Sequence, residues 1–157
     1  MGKTEGLIMA KTEKIELTTL CMVYQGDELL LQNRVKKDWR GYAFPGGHVE
    51  PDESIVDATI REIREETGLT IAAPKLCGIK QFPTEEGRYL VFLFKTDRFT
   101  GELSSSEEGE MRWVRREDLP NIQTVADFMQ LLSVFDREDL TEFLYVPNAD
   151  DWDIVLK

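Results

Sequence analysis

Three glutamates, Glu62, Glu65 and Glu66, crowd into the segment REIREETG, with Pro45, Gly46 and Gly47 some fifteen residues before them. Carboxylates this close repel one another unless a cation lies between them or solvent dilutes their charge. At i, i+3 and i+4 they would share one side of a helix, since each helical residue advances about 100°. With Val56 as the origin of an apolar face that includes Ile60 and Ile63, Glu66 falls about 80° to one side, Glu62 about 120° and Glu65 about 180° away. Such a wall of hard oxygen donors suits Mg²⁺ or Mn²⁺ rather than zinc. His48 is the chain's one histidine, which excludes a histidine metal cluster. The competing reading is a solvated helix face, in which Arg61, four residues from both Asp57 and Glu65, neutralises either. Against it, the like charges gather on one side and abut the core, and the preceding FPGG offers backbone that a ligand can approach closely.

The elements that must position these groups alternate between strand and helix periodicity. LTTLCMVY (residues 17–24) and LLLQNR read as a hairpin closed by QGDE. WRGYAFPGG reads as a loop, with a very short strand at Tyr42 to Phe44. A helix is expected from Glu53 to Thr67, with Asp52 as N-cap and Gly68 as C-terminal stop. LCGIKQF and RYLVFLFKT read as strands joined by TEEG, MRWV (residues 111–114) as another, and Thr124 to Phe135 as an amphipathic helix. DREDLTEFLYV suggests a last helical turn before an acidic tail. No internal repeat, linker or low-complexity segment is evident.

A chain of 157 residues, 41% hydrophobic, fits one domain with a sizeable core, spanning about residues 15–145 with short extensions. Its 30 acidic and 19 basic side chains give a formal charge of −11, which disfavours a long nucleic acid as partner. A small phosphorylated substrate remains compatible if metal cations neutralise its approach. Cys21 and Cys77 have neither disulfide-scaffold nor zinc spacing; both read as buried apolar fillers, in keeping with a reducing cytoplasm. Near the start only residues 7–10 are apolar, too short for a signal sequence or a membrane span, and Gly6 breaks the myristoylation pattern. Met9 is an alternative start, and a homodimer stays open.

Written out, Gly47, five residues, Glu53, seven residues, Arg61, Glu62, Ile63, Arg64, Glu65, Glu66, Thr67, Gly68, Leu69 resembles the Nudix box with every position filled. Seven fixed letters at roughly 6% each plus two apolar positions make a chance match on the order of a few in a hundred million. The resemblance implies an α/β fold, an α/β/α sandwich around a mixed β-sheet, and Mg²⁺- or Mn²⁺-assisted hydrolysis of a diphosphate linked to another moiety. It implies that Glu62, Glu65 and Glu66 bind metal, with Glu62 or Glu65 also placed to orient or deprotonate the attacking water. A backbone carbonyl of Gly46 or Gly47 is a further ligand on this reading. Arg61 would pair with Glu53 to fix the loop on the helix. One more carboxylate is expected from SSSEEGE, with Glu107 the first choice and Glu108 the second.

Outside the box the substrate contacts rest on residue type. Arg34, at the end of the second strand, and His48 could reach phosphate. Asn121 and Gln123 carry amides able to read a base edge. Phe82, with Trp39, Tyr42 and Tyr89, could stack on a base, although aromatics usually pack in a core or at its rim. The compact chain looks similar to MutT-like enzymes that convert a nucleoside triphosphate to the monophosphate and pyrophosphate, including those acting on 8-oxo-dGTP. A hydrolase of ADP-ribose or another nucleoside diphosphate-sugar would share the same box. A non-catalytic nucleotide sensor would have less reason to keep the glutamates together.

Overall fold

The computed structural model describes residues 11–157, so the readings at Gly6, at residues 7–10 and at Met9 lie outside the described residues. The expected first hairpin forms from β1 (Lys14–Gln25) and β2 (Glu28–Arg34), with Gly26 taking the left-handed φ of +57° that its turn requires. After β3 (Gly41–Ala43) and β4 (Gly46–His48) comes helix α1 (Ile55–Thr67). Then follow β5 (Thr70–Ile71), β6 (Lys75–Pro83), β7 (Gly87–Thr96), β8 (Phe99–Thr100) and β9 (Gly109–Arg115). A 3₁₀ segment (Arg116–Asn121), helix α2 (Phe128–Asp136), β10 (Glu142–Pro147) and β11 (Trp152–Leu156) complete the order.

Nine strands form one mixed sheet in the order β11-β10-β6-β7-β1-β2-β3, with β4 also paired to β1 and β9 to β2. The parallel β1–β7 pairing runs from Lys14 opposite Gly87 to Val23 opposite Thr96. On its other side β1 changes partner: residues 18–20 pair with β4, whereas Tyr24 and Gln25 pair with β2. This divergence puts the Gly46–His48 segment beside the middle of the sheet.

Alternation along β1 and β2 divides the core between the two sheet faces. Cys21, Val23 and Leu30 pack with Ile63 of α1, whereas Met22, Leu29 and Leu31 pack with Phe128, Leu131 and Phe135 of α2. A helix therefore covers each face, the α/β/α arrangement that the resemblance implied.

Three local expectations are corrected. Helix α1 begins at Ile55, and its N-cap is Ser54, whose hydroxyl accepts from the Asp57 N–H at 3.2 Å; Asp52 instead occupies the preceding turn with φ +65°. Helix α2 begins at Phe128 rather than Thr124, because Thr124 and Val125 are drawn to β3 through a bridge with Tyr42 and the bond from Val125 N–H to Tyr42 O. The segment read as a last helical turn is strand β10, aligned parallel to β6 and carrying the fully buried Phe143. EFLYV carries the aromatic and β-branched residues that strands favour, and the open edge of β6 offers hydrogen bonds that an isolated helical turn could not match. The acidic tail continues as β11, antiparallel to β10. Cys21 is buried and Cys77 half-buried. Among the described residues no helix is long and apolar enough to cross a membrane.

Candidate active site

Helix α1 buries Ala58, Thr59, Ile63 and Thr67, whereas Val56 is 41% exposed. The buried arc is thus turned by roughly 70° from the one centred on Val56, and Glu66 falls near its middle. Small and hydroxyl-bearing residues extend this face, which is why apolar spacing alone misplaced it. Thr59 anchors the helix to the sheet: its hydroxyl is 2.6 Å from that of Thr19, and both residues are buried.

Arg61 is the hub of the loop–helix junction. Its Nε and Nη2 donate to Glu53 at 2.7 and 2.9 Å, Nη1 donates to Glu62 at 2.9 Å and to Glu65 at 3.2 Å, and Nη2 also donates to the His48 carbonyl at 3.0 Å. The guanidinium and the Glu50 N–H hold the Glu53 carboxyl well below its ordinary range, near 2. This fork fixes the chain that follows β4 against the helix through planar, two-pronged recognition. Gly47 lets the Glu62 carboxylate lie directly against the backbone, since a Cβ there would displace it.

The result is a cleft of about 780 Å³ whose lining includes Gly46, Gly47, Glu62, Glu66 and Glu108. Burial, followed by the nearby Glu108 and Glu62 charges, pushes the Glu66 carboxyl up to about 8 even though the Gly46 N–H donates to it at 3.1 Å. Burial likewise raises Glu62, against the pull of Arg61. Arg34, Lys36 and Lys80 also line it, with Phe82, Tyr89 and Tyr145; Arg34 on β2 and Lys80 on β6 are separated by β1 and β7, so the cations stand at different places along the cleft. The Arg34 guanidinium lies 4.6 Å from the Trp39 ring centroid, and its buried Nε has no hydrogen-bond partner among the described residues. Lys80 Nζ lies 5.2 and 5.3 Å from the ring centroids of Phe143 and Tyr145. Burial depresses the Lys80 pKa, opposed by Asp127.

The structure thus brings Gly46, Gly47, His48, Arg34, Phe82, Glu62 and Glu66 into one cleft. Glu65 stands on the outer side of α1, its side chain 60% exposed and tied to Arg61. Glu53 and Arg61 stand behind the cleft rather than on its lining. From the acidic loop it is Glu108, not Glu107, that joins the lining, held in a turn where its N–H donates to Ser106 Oγ at 3.3 Å. Asn121 and Gln123 lie outside the cleft; the Gln123 carbonyl accepts from the Tyr42 N–H at 2.8 Å and so holds the segment after the 3₁₀ turn against β3. Tyr42 is buried in the core, and His48 pairs with Glu16 at 2.7 Å. Lys36, Lys80 and Tyr145 were missed. Lys80 is one of several lysines in the sequence, and only its place on an otherwise apolar strand face could have drawn attention to it.

Among the described residues no three acidic, histidine or cysteine side chains already form a closed metal cage. The donors do fit a hard divalent cation: all are oxygens, and the Glu66 carboxyl, desolvated by burial, lies beside the like charges of Glu108 and Glu62. Glu62, Glu66 and Glu108 are the side chains that could hold it.

Comparison with known proteins gives the family and the fold. Residues 14–132 match the family model described as NUDIX domain. The chain is 33% identical over 118 residues to the oxidized purine nucleoside triphosphate hydrolase of Danio rerio, covering 71% of this chain and 74% of that protein. It is 29% identical over 118 residues to the ADP-ribose pyrophosphatase of Methanocaldococcus jannaschii, covering 69% and 70%. The crystal structure of a MutT protein from Bacillus halodurans superposes with a TM-score of 0.73 at 29% identity, over 90% of this chain and 97% of that one.

Proposed function

The chain belongs to the NUDIX family, a family of hydrolases acting on nucleotide phosphoanhydride bonds, and from that premise we propose that it is a cytoplasmic, Mg²⁺- or Mn²⁺-dependent nucleoside triphosphate pyrophosphohydrolase. Its products would be the nucleoside monophosphate and pyrophosphate, with 8-oxo-dGTP the leading substrate. The observation that carries this reading is the chemistry of the cleft lining: the carboxylates of Glu62, Glu66 and Glu108, the cations of Arg34, Lys36 and Lys80, and aromatic rings share one space.

A bound divalent cation would neutralise phosphate charge and lower the pKa of water. The remaining work belongs to the side chains. Glu62, Glu66 and Glu108 gather oxygen donors around the phosphoanhydride. Arg34 presents a buried donor with no partner among the described residues, and Lys36 and Lys80 add positive charge to the cleft in which the phosphates would lie. Arg61 keeps Glu62 oriented and links it to Glu53, which makes these two residues positioning groups. Phe82 and Tyr89, stacked on each other with centroids 4.9 Å apart, supply an aromatic surface for the nucleoside part of the substrate.

Hydrolysis of ADP-ribose is the second reading, favoured by the likeness to the archaeal pyrophosphatase. Ordinary and oxidised nucleoside triphosphates, ADP-ribose and sugar nucleotides assayed with Mg²⁺ separate the two. The expected result is highest kcat/KM for a purine triphosphate, with pyrophosphate as co-product. A preference of about tenfold or more for ADP-ribose, about 1.4 kcal/mol of transition-state discrimination, would replace the first reading with the second.

A further inference from the structure

Beyond the cleft lies a second hollow of about 440 Å³, walled by Phe82, Asp127, Tyr145, Asp151, Trp152 and Ile154. Phe82 and Tyr145 line both spaces, so the two are neighbours. Four of the six walls come from the β10–β11 hairpin, beyond residue 132 where the family match ends. This hairpin is an integral part of the sheet, with Tyr145 opposite Ile154 and Pro147 opposite Trp152.

The chemistry of the hollow differs from that of the cleft. A run of rings leads outward: Phe82 stacks on Tyr89, and Tyr145 meets Phe82 and Trp152 edge-on, each at 6.1 Å. Trp152 is 44% exposed, leaving much of a large aromatic surface unpartnered at the rim. Two carboxylates complete the wall. Asp127 sits at the left-handed φ of +63° and accepts from the Tyr145 hydroxyl at 2.5 Å, which fixes its orientation and leaves further lone pairs free. The backbone of Asp151 is bonded to Asn148 in the hairpin turn, which holds this residue beside Trp152. Rings and acceptor-only groups together repel phosphate, and they favour a flat heterocycle that offers N–H donors on its edge. Lys80, over the Tyr145 ring, marks the boundary between the phosphate-binding part and this one.

We propose that the β10–β11 hairpin builds the base subsite, in which Trp152 stacks on the base and Asp151 and Asp127 accept from a donor-rich edge of the guanine type, with adjacent ring N–H and amino groups. The proposal rests on reading the cleft as a nucleotide site. It adds that base choice is set by a segment outside the matched domain. Uracil, a smaller ring with a single N–H, would gain less from both features.

The test is calorimetric titration of the full-length protein with guanosine and uridine monophosphates, which needs no turnover. Guanosine monophosphate should bind about tenfold or more tighter than uridine monophosphate, the discrimination that one good two-pronged edge contact gives. Trp152→Ala and Asp151→Asn should each bring the two affinities together, and Trp152→Phe, which keeps a ring, should retain most of the difference. Equal affinities in the wild-type protein would overturn the proposal, as would an unchanged ratio in both Trp152→Ala and Asp151→Asn. If Trp152→Ala fails to fold by circular dichroism, Asp151→Asn and Trp152→Phe decide. Absence of hydrolysis of every triphosphate would defeat the catalytic reading, while the monophosphate titration would still judge the subsite.

Discussion

At the residue scale the glutamates of α1 are unequal despite their shared motif. Glu62 and Glu66 face the cleft and are desolvated, whereas Glu65 stands outside on Arg61. Replacing Glu62 or Glu66 by Gln should therefore lower kcat by a factor on the order of 10² to 10⁴ with the circular dichroism unchanged, and Glu65→Gln should cost less. Equal losses for all three would show that Glu65 reaches the reacting groups. The raised Glu66 pKa also sets a pH dependence for the metal-free protein. Because its folded value, about 8, exceeds the ordinary 4.5, the folded state holds the proton; the stabilisation is complete below 4.5 and is lost as pH rises through 8. Glu53 acts in the opposite sense, stabilising above 4.5 and losing that contribution as pH falls towards 2. In EDTA, the melting temperature of the wild-type protein should fall relative to that of Glu66→Gln between pH 5 and 8. Parallel curves for the two proteins across this range would contradict the assignment.

At the element scale, the position of α1 depends on its first turn and on its contact with β1. Ser54, not Asp52, satisfies the Asp57 N–H, so Ser54→Ala should destabilise the protein by about 1 kcal/mol in urea unfolding. Asp52→Gly should be tolerated, since the residue already adopts a left-handed φ. A larger effect at Asp52 than at Ser54 would return the cap to the position expected from sequence. The Arg61–Glu53 fork does for the loop what the cap does for the helix. Both lie one layer behind the carboxylates that line the cleft.

At the scale of the whole molecule, the last two strands carry more weight than the extent of the family match suggests. Phe143 is fully buried, on a strand that covers the edge of β6, so Phe143→Ala should cost about 3–5 kcal/mol of stability. A loss under 1 kcal/mol in denaturant titration would mean that the hairpin is peripheral to the core. The net charge of −11 surrounds a cleft lined by three cationic side chains, so a compact anion accompanied by divalent cations meets less repulsion than a long polyanion. Hydrolysis should accordingly stop in excess EDTA and return when Mg²⁺ is added back. Full activity in the chelator would refute the role given to the glutamates.

The sequence by itself determined the family, the helix carrying Glu62 to Glu66, its Gly68 terminator and most of the strands, because these follow from local spacing and backbone preference. It could not determine which arc of that helix is buried, since Ala58, Thr59 and Thr67 complete the face only when β1 and β4 lie against it. Nor could it choose Glu108 over Glu107 for the cleft, a choice made by the turn at Ser106 and the register of β9 against β2. Tertiary structure alone converted EFLYV from an expected helical turn into a strand on the edge of β6. The same long-range pairing brought Lys80, Tyr145 and Trp152 together along cleft and hollow. Residues separated by more than sixty positions meet there through sheet hydrogen bonds, and no local pattern in the chain encodes such a meeting.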